Sequence, residues 1–335
     1  MVFWNTYPFL TILQAKFNTS QFKSLIFDKE PIPSPTGVPA LYITPKSPKY
    51  VKEVREFIRK TFGQPPSKPI LDIPQGDILG PRDFILAAID VDGNIVGCIR
   101  YHYMGIFKAQ EKDIFCVDCF CVKKEWRGEG IGDYLLTTLH AYTNELHIPY
   151  CMFLKEGGVL PIIHAHHYSS RYVYRELCQT VKSPNIEPLS VAGAYRLMDI
   201  MTELHPNTFI IRNHESQNQR WFLYRQGHYK VLACFQDTYQ KILNDDKYKR
   251  ICWVTGWFES SNMTDKYREE ASTELTDIMY PDFDYVWMDR AWVGNCTSTA
   301  STASTAIWKD DGPFSWYLYQ WATSINIKGN YCILN

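Results

Sequence analysis

Apolar residues at helical spacing mark the first regular element of the chain. They are Val51, Val54, Phe57 and Ile58. Their spacing predicts an amphipathic helix over residues 51–62, with charged positions on the opposite face. Further along, apolar runs at 83–90 and 95–101 flank the sequence Asp92-Gly93-Asn94. Gly and Asn tolerate the positive φ of tight turns, so this pattern predicts a β-hairpin.

The next apolar run leads into a glycine-rich segment. Residues 114–122 read as a strand, and Arg127-Gly128-Glu129-Gly130-Ile131-Gly132 follows shortly after it. Apolar spacing then predicts a helix over 134–146, and another apolar run predicts a strand over 150–154. The order helix, hairpin, strand, glycine turn, helix, strand indicates an α/β or α+β sheet domain in about the first half of the chain.

The second half repeats this order less regularly. Two strands joined at Gln226-Gly227 are predicted within 220–235, and further strands are predicted at 251–258 and 285–288. A helix is predicted over 263–278, between the last two strands. We interpret this second series as a divergent internal duplication of the first.

Composition and charge exclude several classes of protein. Hydrophobic residues make up 45% of the 335 residues and aromatic residues 15%, which excludes a disordered chain. The 35 Lys and Arg residues balance 36 Asp and Glu residues, so no global field attracts nucleic acid or an anionic membrane. We therefore expect neither as a partner.

The chain shows no targeting or membrane signal. It contains no continuous apolar stretch of the ~18 residues that a membrane span needs, and its start lacks the basic-then-apolar order of a signal peptide. We expect a cytoplasmic protein without integral membrane contact. Its ten cysteines are scattered through strand-like segments and are expected to be reduced core thiols.

The segment 127–132 carries the sharpest chemical signal. Glycines let the backbone approach a phosphate, and the N–H groups at the start of a helix point towards it. A dinucleotide-binding turn would need a different glycine spacing and an acidic residue closing the next strand. The pattern Arg-x-x-Gly-x-Gly resembles the acyl-CoA pyrophosphate loop of the GNAT acyltransferases. A glycine turn without a ligand is the alternative.

Several short segments resemble one family with the GNAT fold, the N-myristoyltransferases. They are Phe3-Trp4-Asn5-Thr6-Tyr7-Pro8, Glu30-Pro31, Cys119-Phe120-Cys121-Val122-Lys123-Lys124, Gly157-Gly158-Val159-Leu160-Pro161, Trp316-Tyr317-Leu318-Tyr319-Gln320-Trp321 and Ile333-Leu334-Asn335. Their common order, from residue 3 to residue 335, is what carries the resemblance.

The resemblance implies an α+β fold in which two fused GNAT-like domains form one mixed, saddle-shaped β-sheet flanked by helices. It divides the chain into an N-terminal acyl-CoA-binding domain, residues 1–188, and a C-terminal peptide-binding domain, residues 189–335. It implies a monomeric protein N-acyltransferase. The long-chain acyl group, myristoyl in this family, passes from acyl-CoA to the N-terminal glycine of a protein or peptide. Acyl-CoA is a co-substrate, and no cofactor is bound permanently.

The resemblance also implies roles for individual residues. The backbone N–H groups of Cys119 and Phe120, at the end of the third strand, would stabilise the oxyanion, and the terminal carboxylate on Asn335 would accept the proton of the attacking amine. The residues expected to contact acyl-CoA are Phe3, Trp4, Thr6, Cys121, Val122, Arg127, Gly128, Glu129, Gly130, Ile131 and Gly132. Those expected to contact the peptide are Lys155, Gly157 and Leu334.

Two departures from the family pattern keep other functions open. The family's loop Arg-Ser-Lys-Arg-Val-Ala is glycine-rich here and closer to that of acetyltransferases. Lys155 stands where the family has a Thr that contacts the amino terminus of the substrate. The alternatives are a short-chain GNAT acetyltransferase acting on a small amine or a lysine, and a catalytically degenerate module that binds acyl-CoA or a peptide.

Cysteine and histidine clusters do not indicate a metal site. Strand alternation places Cys119 and Cys121 on one face and Cys116 on the other, with no fourth ligand nearby, so no metal is expected. Three histidines follow Pro161 in a loop-like stretch and are expected to be ordinary polar residues, with a metal pair or a general base as the alternatives. They are His164, His166 and His167.

Overall fold

The computed structural model describes residues 38–63, 69–148, 150–157, 167–177, 182–203, 208–294, 308–319, 321 and 331–333. Four α-helices lie within these ranges: α1 Pro48–Thr61, α2 Ile131–Glu145, α3 Val191–Thr202 and α4 Asp265–Asp277. The strands are β1 Ala40–Ile43, β2 Ile70–Leu71, β3 Phe84–Ile89, β4 Ile95–Phe107, β5 Lys112–Val122, β6 Cys151–Glu156, β7 His167–Glu176, β8 Ile186–Leu189, β9 Ile211–Arg212, β10 Arg220–Gln226, β11 Tyr229–Asn244, β12 Lys247–Glu259, β13 Tyr285–Asp289, β14 Lys309–Tyr319 and β15 Tyr331–Cys332.

The described strands form one mixed sheet. Its main order is β1-β3-β4-β5-β6-β14-β7-β13-β12-β11-β10-β8, while β15 pairs with β12, β2 with β11 and β9 with β4. Neighbours are antiparallel except for β5 with β6 and β12 with β13. The expected α+β architecture, one mixed sheet flanked by helices, is confirmed.

The same series of elements occurs twice. The order α1-β3-β4-β5-α2-β6 in the first half recurs as α3-β10-β11-β12-α4-β13 in the second. In both series, an antiparallel hairpin is followed by a helix and a parallel strand. The strand that follows each series lies on the other half's side of the sheet, because β14 pairs with β6 and β7 pairs with β13. The domain boundary near residue 188 remains a prediction.

Helices α1 and α2 cover opposite faces of the first half of the sheet. The predicted apolar stripe of α1, which includes Val54 and Ile58, packs against Ile85 and against Cys119 and Cys121. Helix α2 packs on the other face, where Leu135 lies in a separate cluster.

The predicted alternation of the cysteines is wrong. Phe115 and Val117 pack with α2, so Cys116 between them faces the α1 side, as do Cys119 and Cys121. Regular alternation is interrupted because β5 has one more residue than β4 at positions 119–120.

The short strand β15 is buried beside β12. Tyr331 pairs with Trp257, and Cys332 pairs with Gly256. The N–H of Ile333 donates a hydrogen bond of 2.9 Å to the carbonyl of Thr255, which extends this pairing by one residue.

The described cysteines and helices bear on two predictions, that the cysteines are reduced and that no segment spans a membrane. The eight cysteines in the described part of the chain are buried free thiols. A search of the described helices finds none with the length and apolar character to cross a bilayer.

Candidate active site

A wedge opens in the sheet between β5 and β6. The two parallel strands pair at only two positions, Phe115 with Cys151 and Cys116 with Met152. Beyond these positions β5 continues beside β4, while β6 continues beside β14. Because β5 and β6 diverge here, the space between them can admit an extended ligand.

A β-bulge interrupts β5 at the side of this wedge. Arg100 on β4 pairs with Asp118 and Cys98 pairs with Cys121, so two residues of β5, Cys119 and Phe120, oppose one residue of β4. Cys119 has a φ of 48°, in the left-handed region. This conformation reorients the peptide groups on both sides of Cys119 relative to a regular strand.

The bulge corrects one detail of the sequence-based expectation. Cys119 and Phe120 were expected at the end of the strand, but β5 continues through the bulge to Val122. Their amide groups are redirected by the bulge and not by the end of pairing. Cys119 packs on the α1 side of the sheet and the ring of Phe120 packs on the α2 side.

The glycine-rich segment forms the turn that opens α2. Gly128 and Gly130 have φ values of 92° and 80°, and Gly130 is the N-cap residue of the helix. A Cβ on Gly128 would have no neighbour within 4 Å, so this side of the turn is open. Helix α2 is fifteen residues long. Its N-terminus places the first N–H groups and the positive end of the helix dipole at the turn.

The helix begins earlier than expected, which changes the roles of two residues. It starts at Ile131 and not near 134, so Gly132 is its second residue. Ile131 is completely buried, and its side chain anchors the helix in the core. Only the backbone of Ile131 can therefore face a ligand. The exposed Arg127 donates from Nε to the carbonyl of Val122 at 3.1 Å, which ties the turn to the end of β5.

A cavity of about 680 Å³ lies on the α1 side of the bulge. Its walls come from the segment between β2 and β3, from β4 and β5, from the segment between β9 and β10, and from β11. Cys119 is one of the lining residues. This volume falls in the usual range for small-molecule sites. The bulge therefore lies between the wedge and a second space that can hold another substrate.

An arginine–carboxylate pair forms one wall of the cavity. Arg100 on β4 donates to both carboxylate oxygens of Asp118 on β5, at 2.6 Å from Nε and 2.5 Å from Nη2. Its Nη1 donates to the carbonyl of Ile78 at 3.2 Å. Burial alone would lower the pKa of Arg100, but the charge of Asp118 outweighs it and the pKa is raised. The pair links β4 to β5 beside the bulge.

A histidine–carboxylate pair involves His102, which lies two residues after Arg100 on β4 and also lines the cavity. Nδ1 of His102 is 2.8 Å from Oδ2 of Asp83. Asp83 is buried and also accepts from the N–H groups of Tyr103 at 2.7 Å and Gly80 at 2.8 Å. Burial opposes ionisation, yet the charge of His102, its hydrogen bond, Arg100 and the Tyr103 N–H together lower the pKa of Asp83 to about 2. Asp83 is therefore a carboxylate at neutral pH.

The remaining charges at the cavity leave an excess of carboxylate. Arg220 pairs with Asp282, and Arg250 pairs with Asp237, at 2.5 and 2.6 Å. Glu215 is exposed at the cavity, and within the described ranges its carboxylate has no hydrogen bond or ion pair. Each of the four lining arginines, Arg82 included, already pairs with a carboxylate, so the cavity favours a positively charged ligand such as an ammonium group.

The cysteines at the site are not placed for nucleophilic catalysis. Burial raises the pKa of Cys98, Cys116 and Cys119 well above the ordinary value. A neutral buried thiol is a poor nucleophile. Within the part of the chain described here, no group of three His, Cys, Asp or Glu side chains is arranged to hold a metal ion.

The predicted site residues fall into three groups. The structure brings together Cys119, Phe120, Cys121, Val122 and the turn 127–132 along β5 and the start of α2. Lys155 and Gly157 lie at the far end of β6, where Lys155 Nζ donates to the carbonyl of Glu156 at 3.1 Å, and neither lines the cavity. Phe3, Trp4, Thr6, Leu334 and Asn335 lie outside the described residues, as do His164 and His166.

Sequence reasoning missed the residues that line the cavity. The most important are Asp83, Arg100, His102, Asp118 and Glu215. One signal could have found two of them, because Arg100 and Asp118 are charged residues inside otherwise apolar strands. A buried charge needs a partner, so their presence points to a pair across neighbouring strands.

Comparisons with known proteins agree with this geometry. Residues 81–169 match the family model of the acetyltransferase (GNAT) domain. A crystal structure of Saccharomyces cerevisiae N-myristoyltransferase with bound myristoyl-CoA and inhibitors is similar at a TM-score of 0.62 and 12% identity, over 97% of this chain and 90% of that chain. A second, with bound myristoyl-CoA, has a TM-score of 0.59 and 13% identity, over 96% and 93%. The comparison with curated protein sequences gave no match.

The matched segment begins just before β3 and ends within β7, so it includes the wedge, the bulge and the glycine turn. The chain thus carries a GNAT domain, which indicates an acyltransferase. Its overall fold is that of the N-myristoyltransferases, with one mixed sheet extending through both halves.

Proposed function

We propose that this protein is a protein N-acyltransferase that moves a long-chain acyl group, myristoyl above all, from acyl-CoA to the N-terminal glycine of a protein or peptide. The observation that carries the proposal is the position of the bulge at Cys119. It lies between the wedge that would hold the thioester and a cavity that would hold the amine.

The acyl-CoA would lie along the wedge with its pyrophosphate at the glycine turn. Gly128 and Gly130 allow close approach of a phosphate, and the first N–H groups of α2 would donate to it. The loop offers few basic side chains, so backbone donors and Arg127 would carry the binding. The expected contacts of Phe3, Trp4 and Thr6 with acyl-CoA remain part of this proposal.

The bulge would act on the reacting carbonyl. Attack on a thioester places negative charge on the carbonyl oxygen, and preorganised N–H donors stabilise that charge. The peptide groups that the bulge redirects supply the N–H groups of Cys119 and Phe120, which we propose as these donors. Transfer would be direct, because the neutral Cys119 thiol is unsuited to form an acyl-enzyme.

The acceptor would reach the same carbonyl from the cavity. Its nitrogen must arrive as a neutral amine, so the site needs a proton acceptor. The resemblance assigns that role to the terminal carboxylate on Asn335. It also assigns peptide contacts to Lys155, Gly157 and Leu334.

Binding of two acyl-CoAs tests the chain-length part of the proposal. Each buried CH₂ contributes roughly 0.8 kcal/mol, so a fitted long-chain site binds myristoyl-CoA far more tightly than acetyl-CoA. Calorimetric titration with both ligands measures the difference. Equal affinities would favour the second candidate, a short-chain acetyltransferase, which the glycine-rich turn and the match to an acetyltransferase model support.

A further inference from the structure

The paired side chains His102 and Asp83 have no part in the chemistry described so far. Both line the cavity that also contains Cys119. We propose that the acceptor amine binds in this cavity and that Nε2 of His102, oriented by Asp83, takes the proton from its ammonium group. This inference rests on the proposed N-acyl transfer, and it differs from the role that the resemblance gives to Asn335.

The hydrogen bond to Asp83 determines which ring nitrogen can act. Asp83 is ionised and can only accept, so Nδ1 of His102 carries the hydrogen that fills the 2.8 Å contact, and a proton taken up by the ring goes to Nε2. Nε2 has no hydrogen-bond partner among the described residues. The His102 side chain is 21% exposed while that of Asp83 is 2% exposed. The ring is therefore the more accessible member of the pair, and the carboxylate is almost completely buried.

Most of the other ionisable groups at the cavity already have an ion-pair or hydrogen-bond partner. The arginines hold carboxylates, and the Asp118 carboxylate is held by Arg100. Tyr239 donates its hydroxyl to Asp77 at 2.9 Å. The ionisable groups that share the cavity with His102 are Asp77, Asp83, Asp118, Glu215, Asp237, Arg82, Arg100, Arg220, Arg250, Tyr103, Tyr239 and Cys119. Among the described residues, Asp77 and Glu215 are lining carboxylates without a cationic partner and can attract an ammonium group, and Nε2 of His102 is the group placed to accept its proton.

The protons and bonds of this step balance. The ammonium R–NH₃⁺ gives one proton to Nε2 and becomes an amine. The nitrogen attacks the thioester carbonyl carbon, the C–S bond breaks, and the departing thiolate takes the second proton from nitrogen. The products are the amide, free CoA thiol and a His102 imidazolium, which returns its proton to solvent through the cavity. No oxidant, metal or covalent enzyme intermediate is needed.

The His102→Gln variant tests the step, with His228→Gln as the matched control on the exposed turn between β10 and β11. Loss of a general base lowers turnover by roughly 100-fold or more. We expect this loss in His102→Gln at about pH 6.5, where an α-amino group is mostly protonated. Activity should recover as the pH rises past about 8, since the amine then loses its proton unaided. The affinity for myristoyl-CoA should not change.

A chain shortened by Leu334 and Asn335 separates the two proton acceptors. If His102→Gln turns over at the wild-type rate with the wild-type pH profile, and the shortened chain does not turn over, the proton goes to the terminal carboxylate and the proposal is wrong. Loss in His102→Gln with recovery at high pH supports it, whatever the shortened chain does.

Histidine ¹⁵N NMR tests the site without turnover. The wild-type spectrum should show His102 protonated at Nδ1, and glycinamide, a minimal glycyl amine, should shift its Nε2 signal. An Nε2 signal that glycinamide does not move would overturn the proposal. If that signal moves but the wild-type protein transfers no acyl group from myristoyl-CoA or acetyl-CoA, the failure belongs to the proposed function and not to the amine site.

Discussion

Asp83 lies beside His102 because of the register of one hairpin. Phe84 on β3 pairs with Tyr101 on β4, so the residues just outside this pair, Asp83 and His102, become neighbours. Their side chains meet at 2.8 Å on the face that borders the cavity. A contact between residues 19 positions apart thus follows from strand pairing.

Because of this contact, the free energy of unfolding should fall as the pH is lowered into the acidic range. The pKa of Asp83 falls from 3.8 to about 2 on folding, so its ionised form stabilises the native state. That contribution, about 2 kcal/mol, is complete above the unfolded pKa and is lost as the pH falls through the folded one. Urea unfolding between about pH 5 and pH 2 should show a shallower pH dependence for Asp83→Asn than for wild type.

The exposed turn residue Asp92 provides the control, because Asp92→Asn should leave the pH dependence as in wild type. Parallel curves for Asp83→Asn and wild type would show that Asp83 is not the group responsible.

The proposed role of the glycine turn in binding CoA can be tested by adding one negative charge at the start of α2. Gly132 is the second residue of that helix, and Asp at this position places a carboxylate where the pyrophosphate would bind. Gly130 is less suitable, because its φ of 80° would strain any other residue. We expect Gly132→Asp to weaken CoA binding at least 10-fold, with an unchanged circular dichroism spectrum.

Ala192 supplies a matched position, since it is the second residue of α3 and is exposed. Ala192→Asp should bind CoA normally. Undiminished CoA binding by a folded Gly132→Asp protein would place the CoA site elsewhere.

The bulge residue distinguishes direct transfer from an acyl-enzyme. Cys119→Ala removes the thiol but keeps both backbone N–H groups, so turnover should stay within a few-fold of wild type. Mass spectrometry of the quenched wild-type reaction should find no acyl group on the protein. Loss of turnover in Cys119→Ala, together with a trapped acyl thioester, would make Cys119 a nucleophile. Cys116→Ala, a buried thiol in a different cluster, controls for packing.

Much of the first-half fold could be predicted from local sequence. The α1 stripe and the Asp92-Gly93-Asn94 turn depend on short-range spacing and on turn residues, and both occur as predicted. The start of α2 was missed because Ile131 and Gly132 resemble a loop in sequence. A buried isoleucine next to an N-cap glycine in fact begins the helix.

The cavity could not be predicted, because it is assembled from segments far apart in the chain. His102 needs the β3–β4 register to meet Asp83, and Glu215 reaches the same space from the segment before β10. The bulge depends on one residue with positive φ, Cys119, whose identity gives no local signal for that conformation.

The free carboxylate at the cavity predicts a preference for cationic acceptors. Glu215→Gln should raise KM for a glycyl peptide several-fold with little change in kcat, and added salt should reduce the difference between variant and wild type. Glu203→Gln, at the exposed end of α3, should leave KM unchanged. A KM for Glu215→Gln equal to that of wild type at low salt would remove Glu215 from acceptor binding.

A competition experiment tests the central claim most directly. The protein is incubated with equimolar myristoyl-CoA and acetyl-CoA and a peptide that begins with glycine, and the products are identified by liquid chromatography and mass spectrometry. An N-terminally acetylated copy of the peptide serves as the blocked control. We predict one myristoyl group on the free N-terminal amine and no product from the blocked peptide. Acetylated peptide as the main product, or no modified peptide at all, would contradict the proposed long-chain N-acyltransferase.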